Sequence, residues 1–191
     1  ATDKQKVCTM DNQIKEIAER LSGLRDVMQL SIEEFAQACE IDKTEYEQAE
    51  SGTGDISLSM LQKIARKNNI SLDELMFGLE PRMTKFFLTR NGAGVSIERT
   101  EAYKYQSLAS GFKGRLMDPF FVTVAPNDRP ITLNSHSGQE FDIVAKGTLL
   151  INIDGKELIL KPGDTIYFNA QYPHGMKALG GEQAQFIAII I

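Results

Sequence analysis

Two histidines and one glutamate have the residue types and the spacing of a metal site. The chain has only two histidines: His136 lies four residues before Glu140, and His174 comes from another strand further along. Side chains alternate along extended backbone, so His136 and Glu140 can face the same side. Two neutral imidazoles and a carboxylate form the facial set that binds non-haem Fe(II), and Zn, Ni or Mn would also accept these ligands. The three residues together predict a divalent metal site, whereas any one of them alone would be read as a solvated loop residue.

Three more side chains are candidates for a ligand pocket beside this site. Asp142 lies two residues past Glu140 and by alternation should also face inward, where an unpaired carboxylate is costly. Either it pairs with a basic group or a ligand, or a local bulge turns it outward, and we favour the bulge. Tyr103 and Tyr105 share one face of a strand and could line the cavity, although plain aromatic packing explains them equally well.

The region that carries these residues has the pattern of short strands joined by turns. The segments LLINI and KELIL flank Asp154-Gly155, and KFFLT and VSIER flank Asn91-Gly92. A two-residue hairpin turn needs positive φ at both positions, which Asp-Gly and Asn-Gly tolerate. The final FIAIII is apolar on both faces, which predicts a buried strand or a subunit interface. We therefore expect an all-β sandwich or small barrel.

The first 80 residues have helical periodicity instead. The segment IKEIAERLSGLRDVM places apolar residues on one face at intervals of three and four, namely Ile14, Ile17, Ala18, Leu21, Leu24 and Met28. Ser31 with Glu34 and Ser71 with Glu74 form capping boxes, which mark helix starts. A further helix is expected to begin at Asp42, and another covers SLSMLQKIARKN. This gives about five short helices.

Charge also divides the chain near residue 80. Residues 1–80 hold 9 Lys and Arg against 16 Asp and Glu, a net charge of −7, whereas residues 81–191 have a net charge of +2. The segment LEPRMT around Pro81 has the character of a linker. We predict an α+β protein of two domains: an all-α domain at 1–78, a linker at 79–84 and an all-β domain at 85–191.

Residues 17–76 resemble the helix-turn-helix domain of the XRE, or lambda-repressor-like, family. The resemblance rests on the spacing of the residues that open, pack and close its helices, including Leu30, Ser31, Phe35, Ala36, Ile41, Tyr46, Ala49, Glu50 and Gly52. In this family the third helix enters the major groove of DNA. The resemblance therefore implies that Lys43, Thr44, Glu45, Glu47 and Gln48 face duplex DNA.

The chemistry of that third helix disagrees with the resemblance. DNA affinity comes chiefly from cations that neutralise phosphates, but this helix carries Asp42, Glu45, Glu47 and Glu50 against Lys43 alone. Gln48 is the only side chain of this helix that is well suited to hydrogen-bond adenine. Six basic residues could flank the helix and touch phosphates: Lys15, Arg20, Arg25, Lys63, Arg66 and Lys67. The alternative is a helical module used for dimerisation or for covering a site in the β domain.

The segments NSHSGQEFDIVAKG and LILKPGDTIYFNAQYPHGMKA resemble the two motifs of the cupin superfamily, whose fold is a double-stranded β-helix or jelly roll. The matching positions are His136, Glu140 and Gly147 in the first motif, and Pro162, Gly163, Asp164 and His174 in the second. Asn134 stands where the family has the first histidine of its pair, so one of the four usual ligands is missing. The chain's only two histidines both fall on ligand positions of the family.

Two functions remain open for a helix-turn-helix domain joined to a single cupin. The architecture resembles that of XRE-cupin transcriptional regulators, in which the barrel senses a small-molecule effector and the helices bind operator DNA as a dimer. It equally resembles that of the hydroxypropylphosphonate epoxidases, mononuclear iron oxidases whose helical domain covers the site, and in which a tyrosine or Asn134 would orient a small anionic substrate. A metal-dependent isomerase or a plain binding module is a third possibility. We favour the regulator.

The remaining features set the protein class. No run of about 18 apolar residues is present to cross a bilayer, and the first twenty residues are too polar and acidic for a secretory signal. We therefore expect a cytoplasmic protein without membrane contact. Cys8 and Cys39 form no CxxC pair, which favours reduced structural thiols. The chain is expected to form a homodimer or a homotetramer.

Overall fold

A computed structural model describes residues 10–53, 56–98 and 103–191 of the chain. Five α-helices come first: α1 (Met10–Val27), α2 (Ile32–Ala38), α3 (Lys43–Glu50), α4 (Leu58–Asn68) and α5 (Leu72–Phe77). Nine strands follow: β1 (Ser96–Glu98), β2 (Tyr103–Ser107), β3 (Asp118–Val124), β4 (Gln139–Lys146), β5 (Thr148–Ile153), β6 (Lys156–Leu160), β7 (Thr165–Asn169), β8 (His174–Leu179) and β9 (Ala184–Ile190). This confirms the predicted succession of a helical domain and a β domain.

The helices begin where the sequence places their caps. Both capping boxes form: the Ser31 and Ser71 hydroxyls accept hydrogen bonds from the third residue of α2 and α5, and the glutamates there accept from the serine N–H. Asp42 caps α3 in the same way through its carboxylate. Each cap satisfies N–H groups that have no partner inside the helix.

The helical core is formed by the apolar faces that the periodicity predicts. Leu21, Phe35 and Tyr46 are fully buried there, with Ile17 and Ala49 beside them. Met28 is the exception, because α1 ends at Val27 and the Met28 side chain is 43% exposed. Cys39 is buried as a free thiol, and burial raises its pKa, so it stays protonated and poorly reactive. Cys8 lies outside the described residues.

The β domain consists of two antiparallel sheets. One sheet has six strands in the order β1-β2-β3-β9-β4-β7, and the other has three in the order β6-β5-β8. Inward side chains of both sheets form the core, among them Phe120, Val122, Leu149, Ile151 and Phe186. Within the described ranges, no helix is both long and apolar enough to span a bilayer.

The predicted strand segments LLINI, KELIL and FIAIII are confirmed as β5, β6 and β9, VSIER contains β1, and the prediction for KFFLT is wrong. Asp154 and Gly155 have φ of 50° and 82° and join β5 to β6, and β9 lies inside its sheet between β3 and β4. The segment KFFLT, however, is not a strand: residues 85–89 make no ladder pairing, and Phe86 and Leu88 are 70% and 61% exposed. The edge position beside β2 is occupied by β1 instead.

Candidate metal centre

The structure brings His136, Glu140 and His174 together inside the β domain. The Glu140 Oε2 atom lies 3.2 Å from His136 Nε2 and 3.6 Å from His174 Nε2, and one ligand atom of each residue lies within 4.8 Å of the others. All three side chains are buried, with 5–7% exposure. Donors that each sit about 2.0–2.2 Å from one ion are separated by such distances, so the donor set fits a single divalent metal.

Backbone contacts fix which nitrogen of each imidazole faces this point. His136 Nδ1 lies 3.2 Å from the Ser137 carbonyl oxygen, and His174 Nδ1 lies 2.9 Å from the Tyr172 carbonyl oxygen. A carbonyl can only accept, so each Nδ1 carries the proton and each Nε2 keeps its lone pair for a metal. Burial lowers the pKa of His174, which further favours the neutral ring.

The three residues are positioned by backbone pairing between distant segments. Asn134 and His174 exchange two hydrogen bonds of 2.9 Å, and His136 N donates to Ala170 O at 2.9 Å. Glu140 lies in β4, opposite Ile190 of β9. Gly138, between His136 and Glu140, has φ +91°, and a Cβ there would lie 1.7 Å from the Ile191 carbonyl oxygen. Only glycine allows the backbone to pass this close to the Ile191 carbonyl. This close approach shapes the loop that carries His136.

The centre opens into a cavity of about 180 Å³. Asn134, Tyr103 and Tyr105 all line it, so the structure places these three residues beside the cluster. The Tyr103 hydroxyl donates to the Met176 carbonyl, and the two tyrosine rings stack with centroids 6.3 Å apart. The cavity therefore has an aromatic wall on β2.

Asp142 lies inward without the bulge that the sequence analysis favoured. The pairing of β4 is regular from Glu140 to Val144, and its bulge lies later, between Val144 and Lys146, so the expected outward turn at Asp142 is wrong. Asp142 is 0% exposed, its carboxylate has no hydrogen-bond partner among the described residues, and it is not among the cavity-lining residues. Burial, followed by the charge of Glu140, raises the Asp142 pKa well above its usual range, so the carboxyl is neutral.

Four of the cavity residues that the sequence prediction did not name add an α4 contact and two cations. Leu58 and Ser59 come from the start of α4, and Arg129 and Lys177 come from the barrel. The Lys177 ammonium donates to the Arg129 carbonyl oxygen at 3.0 Å. Leu58 and Ser59 reach the cavity only through the packing of α4 on the barrel, and Arg129 reaches it from an irregular loop, whereas Lys177 lies in β8.

The residues expected at a DNA surface lie on the exposed side of α3. Thr44, Glu47 and Gln48 are exposed, whereas Tyr46 and Ala49 face the core. Lys43 is also exposed, but its ammonium is 3.1 Å from the Glu33 carboxylate. The polar face of α3 is thus open and predominantly acidic.

Most of the six basic residues expected to flank this helix are bonded within the protein. Arg20 donates to the Leu75 and Met76 carbonyls, Arg25 to Glu50, Lys63 to the Glu40 carbonyl and Arg66 to the Ser137 hydroxyl. Lys15 and Lys67 are exposed. Cations that already have partners are less available to phosphates. The fold therefore keeps the disagreement seen in the sequence, in which an acidic helix is expected to face DNA.

The comparisons with known proteins agree with this two-domain fold. A helix-turn-helix family model matches residues 24–75, and a cupin domain model matches residues 120–190. An HTH_3 family transcriptional regulator from Vibrio cholerae has a similar structure, with 24% identity, a TM-score of 0.65 and coverage of 95% of this chain and 98% of that chain. No curated protein matches the chain.

Structures of an iron enzyme match the same length of chain. Hydroxypropylphosphonic acid epoxidase from S. wedmorenis gives 21% identity and a TM-score of 0.51, covering 93% of this chain and 97% of that chain. A structure of FeII HppE gives 21% identity and a TM-score of 0.51, with coverage of 94% and 100%. At these identities the likeness concerns the fold alone. Residues 24–75 therefore belong to a helix-turn-helix domain, and residues 120–190 to a cupin domain.

Proposed function

We propose that the protein is a DNA-binding transcriptional regulator whose cupin domain holds a divalent metal and senses a small-molecule effector. The observation that carries this proposal is the helix-turn-helix match over residues 24–75 together with the exposed polar face of α3. In such domains the second helix of the helix-turn-helix motif, here α3, contacts base edges in the major groove. Lys43, Thr44, Glu47 and Gln48 would make these contacts here.

The effector would bind between the metal centre and the helical domain. A bound metal, with Fe(II) favoured by the ligand set, would supply open coordination positions for a chelating effector. Asn134 and the two tyrosines would orient the effector in the cavity, and His136, Glu140 and His174 would hold the ion. Leu58 and Ser59 belong to α4, so an effector in this cavity contacts the helical domain directly. Its binding would thereby act on the helical domain that carries α3.

Operator recognition requires two copies of the chain. Two recognition helices bind half-sites about 34 Å apart, so we propose a homodimer or a homotetramer. The segment 85–89 supports this proposal, since its Phe86 and Leu88 side chains are 70% and 61% exposed. Sedimentation of Phe86→Asp beside the native protein tests the arrangement: the variant should sediment as a smaller species, and unchanged sedimentation contradicts this interface.

The regulator is tested with fluorescently labelled duplex DNA from upstream of the protein's own gene. We expect a complex whose affinity falls steeply with salt, because phosphate contacts release counterions. Gln48→Ala should weaken specific binding by about 1–3 kcal/mol, the usual contribution of a bidentate base contact. Gln171→Ala, an exposed change in the barrel, is the matched control. Absence of any complex at low salt contradicts the regulator.

A mononuclear iron oxidase acting on a small anionic substrate is the second candidate. Two observations favour it: α4 covers part of the cavity, and Arg129 and Lys177 give the cavity a positive side. Hydroxypropylphosphonic acid is a suitable probe, since a structurally similar protein is an epoxidase of that compound. The oxidase predicts oxygen consumption by Fe(II)-loaded protein that depends on this probe or a related hydroxy acid and is lost in Glu140→Ala. A protein that binds DNA and consumes no oxygen excludes it.

A further inference from the structure

The outer surface of the six-stranded sheet carries apolar side chains across four neighbouring strands. β3, β9, β4 and β7 lie side by side in that order, and residues paired opposite each other in a sheet point to the same face. Two adjoining rows of such pairs cross these strands: Phe121, Ile187 and Ile143 form the first, and Ile189, Phe141 and Tyr167 form the second. We call these two rows the outer apolar face.

The outer apolar face points away from the barrel interior. The residues that alternate with Ile187 and Ile189 in β9 line the cavity beside the metal centre, so these two isoleucines lie on the opposite side of the sheet. Tyr167 is 58% exposed, and its ring lies 6.3 Å from that of Phe141. The solvated face of an antiparallel sheet normally carries polar residues, so a face of branched and aromatic side chains indicates that another surface covers it.

The size of the outer apolar face suits the centre of a protein interface. Strands lie about 4.8 Å apart and same-face residues about 6.7 Å apart, so the two rows with the polar row on either side cover roughly 20 by 25 Å. The flanking rows hold Thr123 and Gln185 on one side, and Gln139 and Asn169 on the other. A standard interface takes about 800 Å² of accessible surface from each partner, with an apolar centre and a polar rim. The face has this arrangement.

The charges around the face favour a second copy of the chain as the partner. The two rows hold no charged side chain, although the chain has a net charge of −5. Lys104 and Lys146 lie at one margin, in the row of Thr123 and Gln185. A two-fold axis that lies between two such sheets and runs across the strands places the two lysine margins at opposite ends. Two copies can therefore meet without burying a charge or opposing like charges, whereas a charged partner finds no counter-charge in the two rows.

We propose that the outer apolar face is an interface between two copies of this chain, which pack sheet against sheet about 10 Å apart. This interface deepens the homodimer or homotetramer proposed above and rests on that assembly, but it depends neither on DNA binding nor on a metal. The face shares no residue with the segment 85–89. Two different self-complementary surfaces on one chain build a tetramer, so the two contacts can coexist.

Sedimentation equilibrium of the full chain at micromolar concentration, without DNA, tests the interface. The Ile187→Glu protein should have half the mass of the native assembly, because the new carboxylate would be buried against apolar side chains of the other copy. Ile159→Glu makes the same change at a 60% exposed position in the other sheet and should keep the native mass. Tyr167→Glu, at an exposed position that tolerates the change if Ile187→Glu does not fold, should weaken association roughly tenfold or more.

NMR of the native protein identifies the contacting side chains directly. In a mixture of isotope-labelled and unlabelled copies, the Ile187 and Ile189 methyl groups should show NOEs to aromatic protons of the other copy. The proposal is overturned if the pure native chain is a monomer, as it would be if a different protein covered the face. It is also overturned if Ile187→Glu and Tyr167→Glu keep the native mass, or if these NOEs are absent. A halved mass of Ile187→Glu in a protein that binds no DNA supports the interface and contradicts only the regulator.

Discussion

Arg115 of the barrel and Asp73 of helix α5 form an ion pair that joins the two domains. Asp73 is 0% exposed and the Arg115 side chain 10% exposed, and the Arg115 Nε atom also lies 2.6 Å from Asp118 Oδ1. Burial raises the pKa of Asp73, and the Arg115 charge opposes that rise. This buried ion pair therefore stabilises the contact between the helical domain and the barrel.

Replacing Arg115 by Met should destabilise the protein strongly. The change leaves the Asp73 carboxylate buried and unpaired, which costs about 3–5 kcal/mol in comparable buried pairs. The double variant Arg115→Met with Asp73→Leu should recover much of this loss, because no buried charge then remains. Urea unfolding measures both free energies, and Lys113→Met, at an exposed neighbouring position, is the control. Equal stability of the single variant and this control would mean that the ion pair contributes nothing.

Replacing Gln62 by Leu should stabilise the protein in the absence of any ligand. The Gln62 amide is buried and has no hydrogen-bond partner among the described residues, and each such unsatisfied polar group costs about 1–3 kcal/mol. Leu has a similar volume and no polar atom, so the free energy of unfolding should rise by about 1–3 kcal/mol. Gln37→Leu, on an exposed face, should change it by less than about 0.5 kcal/mol. A destabilised Gln62→Leu protein would show that the amide has a partner inside the native fold.

The predictable part of the fold rests on local signals in the sequence. The Ser31 and Ser71 capping boxes, the Asp154-Gly155 turn and the apolar strand β9 act within a few residues, and each is confirmed. His136 and Glu140 are also close in sequence, but a bend at Ser137 and Gly138, with φ +91° at Gly138, lies between them, so the alternation assumed from the sequence is not what brings them together. His174 joins them because the cupin resemblance assigns it to the same set, not because spacing alone requires it.

The parts that the sequence did not reveal depend on contacts between distant segments. Leu58 and Ser59 line the cavity only because α4 packs on the barrel. Asp142 stays inward because β4 is held on both sides by β7 and β9, which leaves no room for a bulge at that residue. The segment 85–89 has strand-forming residues but pairs with no strand of the sheet, so its propensity alone does not make it a strand.

Helix packing around Glu50 should make the protein sensitive to acid. Arg25 donates to both Glu50 oxygens, at 2.7 and 2.9 Å. Burial raises the pKa of Glu50, but hydrogen bonds from Arg25 and Tyr46 outweigh it, and the net shift is downward from the ordinary 4.5. A carboxyl group whose pKa is lower in the folded than in the unfolded protein stabilises the fold at pH values above its unfolded pKa. This stabilisation is lost as the pH falls through its folded pKa.

The Glu50→Gln protein should therefore be less stable than the native protein at pH 7. Its free energy of unfolding should also fall less on acidification than that of the native protein. The expected loss at neutral pH is about 1.5–3 kcal/mol, typical of hydrogen bonds to charged groups. Denaturant unfolding at a series of pH values between neutral and about pH 3 measures the slope. Glu47→Gln, on the exposed face of the same helix, should keep the native profile. If the free energy of unfolding of Glu50→Gln fell with pH as steeply as that of the native protein, another carboxylate would be responsible for the loss of stability in acid.

His136→Ala should abolish tight metal binding without unfolding the barrel. His136 supplies one of three ligand atoms that lie within 4.8 Å of one another, and its removal leaves two ligands. The loss of affinity should exceed the roughly 10–100-fold that follows from altering residues behind the ligands. Metal analysis after Fe(II), Zn or Ni loading measures it, and thermal unfolding of the native protein should shift upward with metal while that of the variant should not. Gln139→Ala, an exposed neighbour in the same segment, is the control. Equal metal content in the native, Gln139→Ala and His136→Ala proteins would place any bound ion elsewhere in the molecule.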